Sequence, residues 1–115
     1  MISRTHWRDI VLVAVGVTLG ACVRWALSGA GLGAGATLIA NLAGCTVAGL
    51  AAARSAERWR PFWLTGVAGG LSTLSALGAD VEQMLDDGRS LPASGYVAIT
   101  IAGGLLAVRL AGVRR

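Results

Sequence analysis

The chain has no lysine, and only 14% of its 115 residues carry a charge. An ordinary soluble domain is about 25% charged, so that class is excluded. His6 is the only histidine. It lies in a polar N-terminal tail, and no nucleophile–base set lies inside the apolar runs that follow, which excludes a hydrolytic enzyme. The two cysteines, Cys22 and Cys45, both fall inside apolar runs. They lack zinc spacing and do not make a disulfide framework, so they read as small packing residues.

What remains is apolar: hydrophobic residues make up 55% of the chain. Ile10–Val23 is free of charge and can extend as a helix through Arg24 to Ser28. Trp25–Ala53 is also uncharged, with Gly29, Gly31, Gly33 and Gly35 marking a turn before a second helix. Arg54–Arg60 is a charged connection, and Pro61 is a good helix starter. Pro61–Ala79 is the third uncharged run, Glu82–Arg89 a polar turn, and Ser90–Val108 the fourth run. Each is near the roughly 20 residues that a span requires. The expected fold is an all-α integral membrane protein, a single domain over 1–115 with spans at roughly 10–28, 35–53, 61–81 and 91–109. A basic start before an apolar run also describes a signal peptide ending near Ala34-Gly35-Ala36. Three more spans follow, so the first run is read as a retained helix.

Ten arginines against six acids would suggest nucleic acid in a soluble protein. Here the arginines cluster between apolar runs, as membrane flanks do. Four spans put both termini and the 54–60 loop on one side. That side holds eight arginines (Arg4, Arg8, Arg54, Arg58, Arg60, Arg109, Arg114 and Arg115), and the other holds two, Arg24 and Arg89. The positive-inside rule then expects a multi-pass protein of the cell inner (plasma) membrane with both termini cytoplasmic.

Three stretches depart from plain apolar helix. TGVAGGLSTLSALGAD (65–80) places Gly69-Gly70 and the hydroxyls of Thr65, Ser72, Thr73 and Ser75 at membrane depth. Glycines loosen a helix and hydroxyls need partners that lipid does not supply, so a break at Gly69–Ser72 is expected. In the second span Ala36, Ala40, Gly44 and Ala48 form a small-residue stripe, either general helix packing or an oligomer contact. One position over run Thr37, Asn41 and Cys45. Thr37 can bond back to its own helix, but an amide at mid-membrane has to find partners, so Asn41 has a functional or interhelical role. Tyr96 and Thr100 share a face of the fourth span. Tyr96 lies near a helix end, where an interfacial anchor is the simpler reading.

Together, GVTLGACVRW (16–25), ATLIANLAGC (36–45) and the 65–80 stretch resemble, in order, the three signature segments of the Fluc/CrcB fluoride channel family. The resemblance covers roughly residues 10–110. It implies a dimer of oppositely oriented subunits with two narrow fluoride paths and a central structural sodium ion (Na+) that is not transported. By position, the backbone carbonyls of Gly69 and Ser72 would supply this subunit's share of the sodium site, since a hard cation takes oxygen ligands. Fluoride would meet the Asn41 amide, the hydroxyls of Thr37, Thr73 and Ser75, and Tyr96 and Thr100. These groups are neutral, so the anion can leave as well as enter. Arg24 matches the family arginine. It either attracts anions at the pore entrance or snorkels to the interface as a helix-end charge. Asp80 holds the position of the usual acid, where it pairs with an arginine or ends the buried run.

Two departures from the family pattern matter. The phenylalanines whose ring edges would face the anion are replaced by Leu74 and Leu77, and leucine has no quadrupole. Gly104 stands where a hydroxyl often lies. A subunit that inserts both ways should also have nearly balanced arginines, whereas eight against two fixes one orientation. The expectation is therefore a heterodimer in membrane lipid, with a homologous subunit in the opposite orientation that brings the phenylalanines. A small multidrug exporter is the alternative four-helix class. It needs an embedded carboxylate, and Asp80 lies only at a run's edge. A non-conducting accessory subunit is a third class, favoured by the missing phenylalanines.

Overall fold

The computed structural model describes residues 4–113, all helix and connecting turns with no strand among them. Arg114 and Arg115, counted above on the basic side, lie outside the described residues. Helix α1 covers Arg4–Ser28 and α2 covers Ala34–Arg54. A single 3₁₀ turn, Glu57–Trp59, leads into a π-helical segment, Pro61–Val67, which passes directly into the short α3, Ala68–Leu71. After two extended residues come α4, Leu74–Asp86, and α5, Ser90–Gly112. Four stretches are long and apolar enough to cross a bilayer: α1, α2, the composite Glu57–Asp86, and α5.

The helix ends follow local chemistry rather than the edges of the apolar runs. α1 is already helical at Arg4, ahead of the apolar run, because charge does not stop a helix and arginine is a good helix former. The α1–α2 connection turns at Gly31 (φ 74°) and Gly33 (φ 55°), a backbone region open to glycine. α4 continues past residue 81 through Glu82, Gln83 and Met84 until Gly88 (φ 73°) closes it. There the Gly88 and Arg89 amides donate to the carbonyls of Leu85 and Met84, at 2.9 and 2.8 Å.

Among the described residues no large side chain is fully buried, and the core is built from backbone approaching backbone. Gly16 and Gly20 of α1 face Gly66 and Gly70 of the third span, and both pairs are four residues apart. A Cβ on Gly16 would lie 2.8 Å from the Gly66 Cα, and one on Gly70 would lie 3.0 Å from the Ala21 amide nitrogen. Small residues at this spacing let two membrane helices close on each other's backbone, where dispersion and weak polar contacts accumulate. α2 packs against the third span through its small stripe. Ala36 and Ala40 are buried, and a Cβ on Gly44 would meet the Ala68 carbonyl and Ser72 at 3.1 Å. The stripe is therefore used inside the subunit. On its other flank α2 runs parallel to α5, with Cys45 against Gly104 and Gly49 against Val108 and Ala111. Large apolar side chains such as Val11, Leu19, Ile99 and Leu105 point outward, as lipid-facing residues do.

The third span is broken, but the break falls at Ser72 (φ −74°, ψ 147°) and Thr73 (φ −152°, ψ 117°). Gly69 and Gly70 stay helical, a correction to the expectation that the glycine pair opens the chain. Gly70 serves the close approach to α1 instead. The break is made by polar groups that capture the backbone beyond it.

Candidate functional site: a polar groove at the helix break

The sequence around the break supplies its own substitutes for helical hydrogen bonds. Thr73 is the N-cap of α4, and its Oγ1 accepts from the Ala76 amide at 3.2 Å. Across the bundle, the Thr73 amide donates to Asn41 Oδ1 at 2.6 Å, and Asn41 Nδ2 donates to the Thr73 carbonyl at 3.3 Å. Both residues are buried. Asn41 thus acts as a two-point clamp on an extended residue, standing in for a helix turn that is not there. In contrast, the hydroxyls of Thr18, Thr46 and Ser94 bond back to carbonyls of their own helices.

These diversions take the usual helical donors away from specific carbonyls. In an unbroken helix the Thr73 amide would serve the Gly69 carbonyl, and the Ala76 amide would serve that of Ser72. Both donors are committed elsewhere. Gly69 is exposed, with open space where a Cβ would stand. The described residues contain no cluster of three or more His, Cys, Asp or Glu side chains. What the break offers a cation is therefore carbonyl oxygen, which suits a hard ion.

Beside the clamp lies an open groove of about 380 Å³ between α2, the break with α4, and α5. Its polar lining comes from Asn41, Cys45, Ser72, Thr73 and Thr100, and its apolar lining includes Leu74, Leu77 and Ile101. One of the two Asn41 N–H donors is used on Thr73, which leaves the other for the groove. Ser75 lies at the edge, its Oγ 3.1 Å from Thr73 Oγ1. The Thr100 hydroxyl donates to the Tyr96 carbonyl at 2.8 Å, so its oxygen keeps accepting capacity. Gly104 leaves room for Cys45, whose sulfur is 3.1 Å from where a Gly104 Cβ would be.

About two turns toward the start of α2, the Tyr96 hydroxyl lies 3.0 Å from the Ala34 carbonyl and 2.8 Å from Asp80 Oδ2. Thr37 sits beside the same hydroxyl. Tyr96 therefore ties α5 to α2 and α4 and is not a free interfacial anchor. Asp80 is held by tyrosine, where pairing with an arginine was one of the two expectations. The polar residues thus fall into two bonded sets, Asn41 with Thr73 and Ser75, and Tyr96 with Thr37 and Thr100, and Thr100 lines the same groove as the first set. Arg24, half-buried on α1, is not among the residues lining the groove. Leu74 is 82% exposed and Leu77 only 9%, so the two substituted positions differ, one facing outward and one inward.

The family model described as CrcB-like protein, Camphor Resistance (CrcB), matches residues 11–113. The chain belongs to the CrcB family. Among CrcB relatives, a protein of Pseudomonas aeruginosa named fluoride-specific ion channel FluC is 38% identical, with 87% of each chain covered. Proteins of the same name from Bordetella petrii and Paraburkholderia xenovorans are each 40% identical, covering 84% and 88% of this chain and 83% and 88% of their own length. The glycine pairs joining α1 to the third span and the Tyr96–Asp80 contact of this CrcB chain were not assigned from its sequence. The first had a visible signal, the four-residue spacing in GVTLG and GVAGG.

Proposed function

We propose that this chain is a subunit of a fluoride-specific channel of the inner membrane that lets fluoride leave the cytoplasm down its gradient. The observation that carries the reading is the groove at the Asn41–Thr73 clamp, where neutral donors and hydroxyls converge beside a helix break. Moving a bare anion into a low-dielectric interior costs tens of kcal/mol unless polar groups replace its water. The free Asn41 N–H and the rotatable hydroxyls of Thr73 and Ser75 do this without a fixed cation that would trap the ion. Thr100 of the same groove leads on to Tyr96 and Thr37. The relatives' name supports fluoride as the ion carried.

The carbonyls of Gly69 and Ser72 would hold this subunit's share of a structural sodium ion. The sodium would neutralise oxygen dipoles that otherwise face each other across a subunit contact. The arginine imbalance supports a single orientation with both termini cytoplasmic, and hence pairing with an oppositely inserted homologue. Leu74 and Leu77 lack the aromatic edge that would favour an anion, and the partner would supply it.

Fluoride efflux from liposomes tests the reading. Flux is expected when the chain is reconstituted with an oppositely biased homologue and weak or absent flux with the chain alone. Strong flux from the chain alone would eliminate the heterodimer. Absence of flux from the pair would leave the accessory-subunit reading that the two leucines favour.

A further inference from the structure

At the opposite end of α2 from Tyr96, three aromatic rings crowd the start of the third span. Trp59 and Phe62 meet edge-on with centroids 6.3 Å apart, and Phe62 and Trp63 meet at 4.9 Å. The half-exposed Trp63 ring separates two adjoining hollows. The first, about 350 Å³, lies between Ser55, Ala56 and the rings. The second, about 320 Å³, follows α2 along Val47, Leu50 and Ala51 to Arg54 and Ser55, against Trp63. Val47, Leu50, Ala51 and Arg54 are spaced three and four apart and share one helix face. The second hollow is thus a groove along the helix axis, apolar in its floor and cationic at its mouth.

The charges at that mouth are unequal in their commitments. Arg60 Nη2 donates to the Ala52 carbonyl at 3.1 Å, and Arg8 Nη2 donates to the Arg58 carbonyl at 2.7 Å. The guanidiniums of Arg54 and Arg58 have no acceptor among the described residues. Glu57 is the one acid between residues 54 and 60. The Arg54 guanidinium therefore sits at the end of an apolar channel on the flank of helices that cross a bilayer, and the exposed Arg58 follows four residues later.

We propose that this groove binds an anionic phospholipid. One acyl chain lies along Val47, Leu50 and Ala51 against the Trp63 face, and the headgroup phosphate sits at Arg54 and the Ser55 hydroxyl with Arg58 adjacent. A planar guanidinium offers paired N–H donors that match phosphate oxygens, and an indole suits the boundary between headgroup and chain. The continuity of apolar floor with cationic mouth selects a lipid over a free anion, which would use the mouth alone. Charge complementarity selects an anionic headgroup over a zwitterionic one.

Tryptophan quenching by brominated lipids tests this directly. The full chain, carrying Trp7→Phe, Trp25→Phe and Trp59→Phe so that only Trp63 reports, is placed in vesicles with brominated phosphatidylglycerol or phosphatidylcholine as the minor component. Phosphatidylglycerol is expected to compete for the site about fivefold better, the scale of one basic residue's attraction to an anionic surface. Arg54→Gln should remove most of that preference, whereas Arg89→Gln on the other side of the membrane should leave it intact. Leu50→Phe, which fills the groove, should reduce quenching by both lipids. Equal quenching by the two lipids would overturn the proposal, as would an equal loss of preference in the Arg54 and Arg89 variants. Weak quenching that ignores headgroup would also overturn it, because a second protein chain would then cover the face.

Discussion

Replacing Asn41 separates the clamp on Thr73 that the structure gives this side chain from the contact with fluoride proposed above. Asn41→Leu removes both hydrogen bonds to Thr73 and leaves the buried Thr73 amide without its acceptor. An interhelical hydrogen bond in a membrane protein contributes about 0.6–1.7 kcal/mol, and a stranded buried N–H costs about 1–3 kcal/mol. The expected destabilisation is therefore about 2–4 kcal/mol, readable as a fall in thermal midpoint in detergent. Asn41→Asp keeps an acceptor for the Thr73 amide but removes the N–H donor and places a negative charge on the groove. At about 4 Å and an effective dielectric of about 20, its repulsion of fluoride is about 4 kcal/mol. That corresponds to occupancy lower by about a thousandfold. Fluoride-electrode traces from liposomes holding the chain with the homologous subunit proposed above should show efflux collapsing in Asn41→Asp. An Asn41→Leu protein as stable as its parent would refute the clamp. Undiminished flux in Asn41→Asp would refute the placing of this amide beside the ion.

Other expectations rest on separate contacts. Gly20→Ala drives a Cβ into the backbone of Val67, Gly70 and Leu71 and should cost about 1–3 kcal/mol. Gly95→Ala, where a Cβ meets open space, should be neutral or slightly stabilising, and thermal unfolding compares the two. Tyr96→Phe removes the hydroxyl that bridges Asp80 and Ala34. A double-mutant cycle with Asp80→Asn should return a coupling of about 0.5–3 kcal/mol, and additivity would show that the contact is not stabilising. Leu74→Phe, at the outward-facing position, should raise fluoride flux of the chain alone with little change in stability. Leu77→Phe should lower stability by about 1–3 kcal/mol because its site is already filled.

Membrane class, four helices and the signature stretches could be read from local pattern because each depends on residues near one another in the chain. An uncharged run long enough to span, a glycine turn and a proline at a helix start need no knowledge of neighbours. The candidate polar residues were legible for the same reason: an amide or paired hydroxyls inside an apolar run stand out wherever they point. Their partners were not legible. Nothing in Thr73 alone says that its amide turns to Asn41, thirty-two positions away. Asp80 could equally have met an arginine until the fold brought Tyr96 to it. The glycine pair shows the limit most clearly. Gly69-Gly70 announces a weak point in a helix, yet the helix continues through it because Gly70 is pressed against α1. The chain opens two residues later, where Asn41 and the Thr73 hydroxyl offer the backbone other partners. Composition alone determined that polar groups had to be satisfied at membrane depth. The packing of α2 against the third span decided which carbonyls lost their helical donors, because hydrogen bonds in a dry interior go to whichever partner the tertiary structure brings within reach.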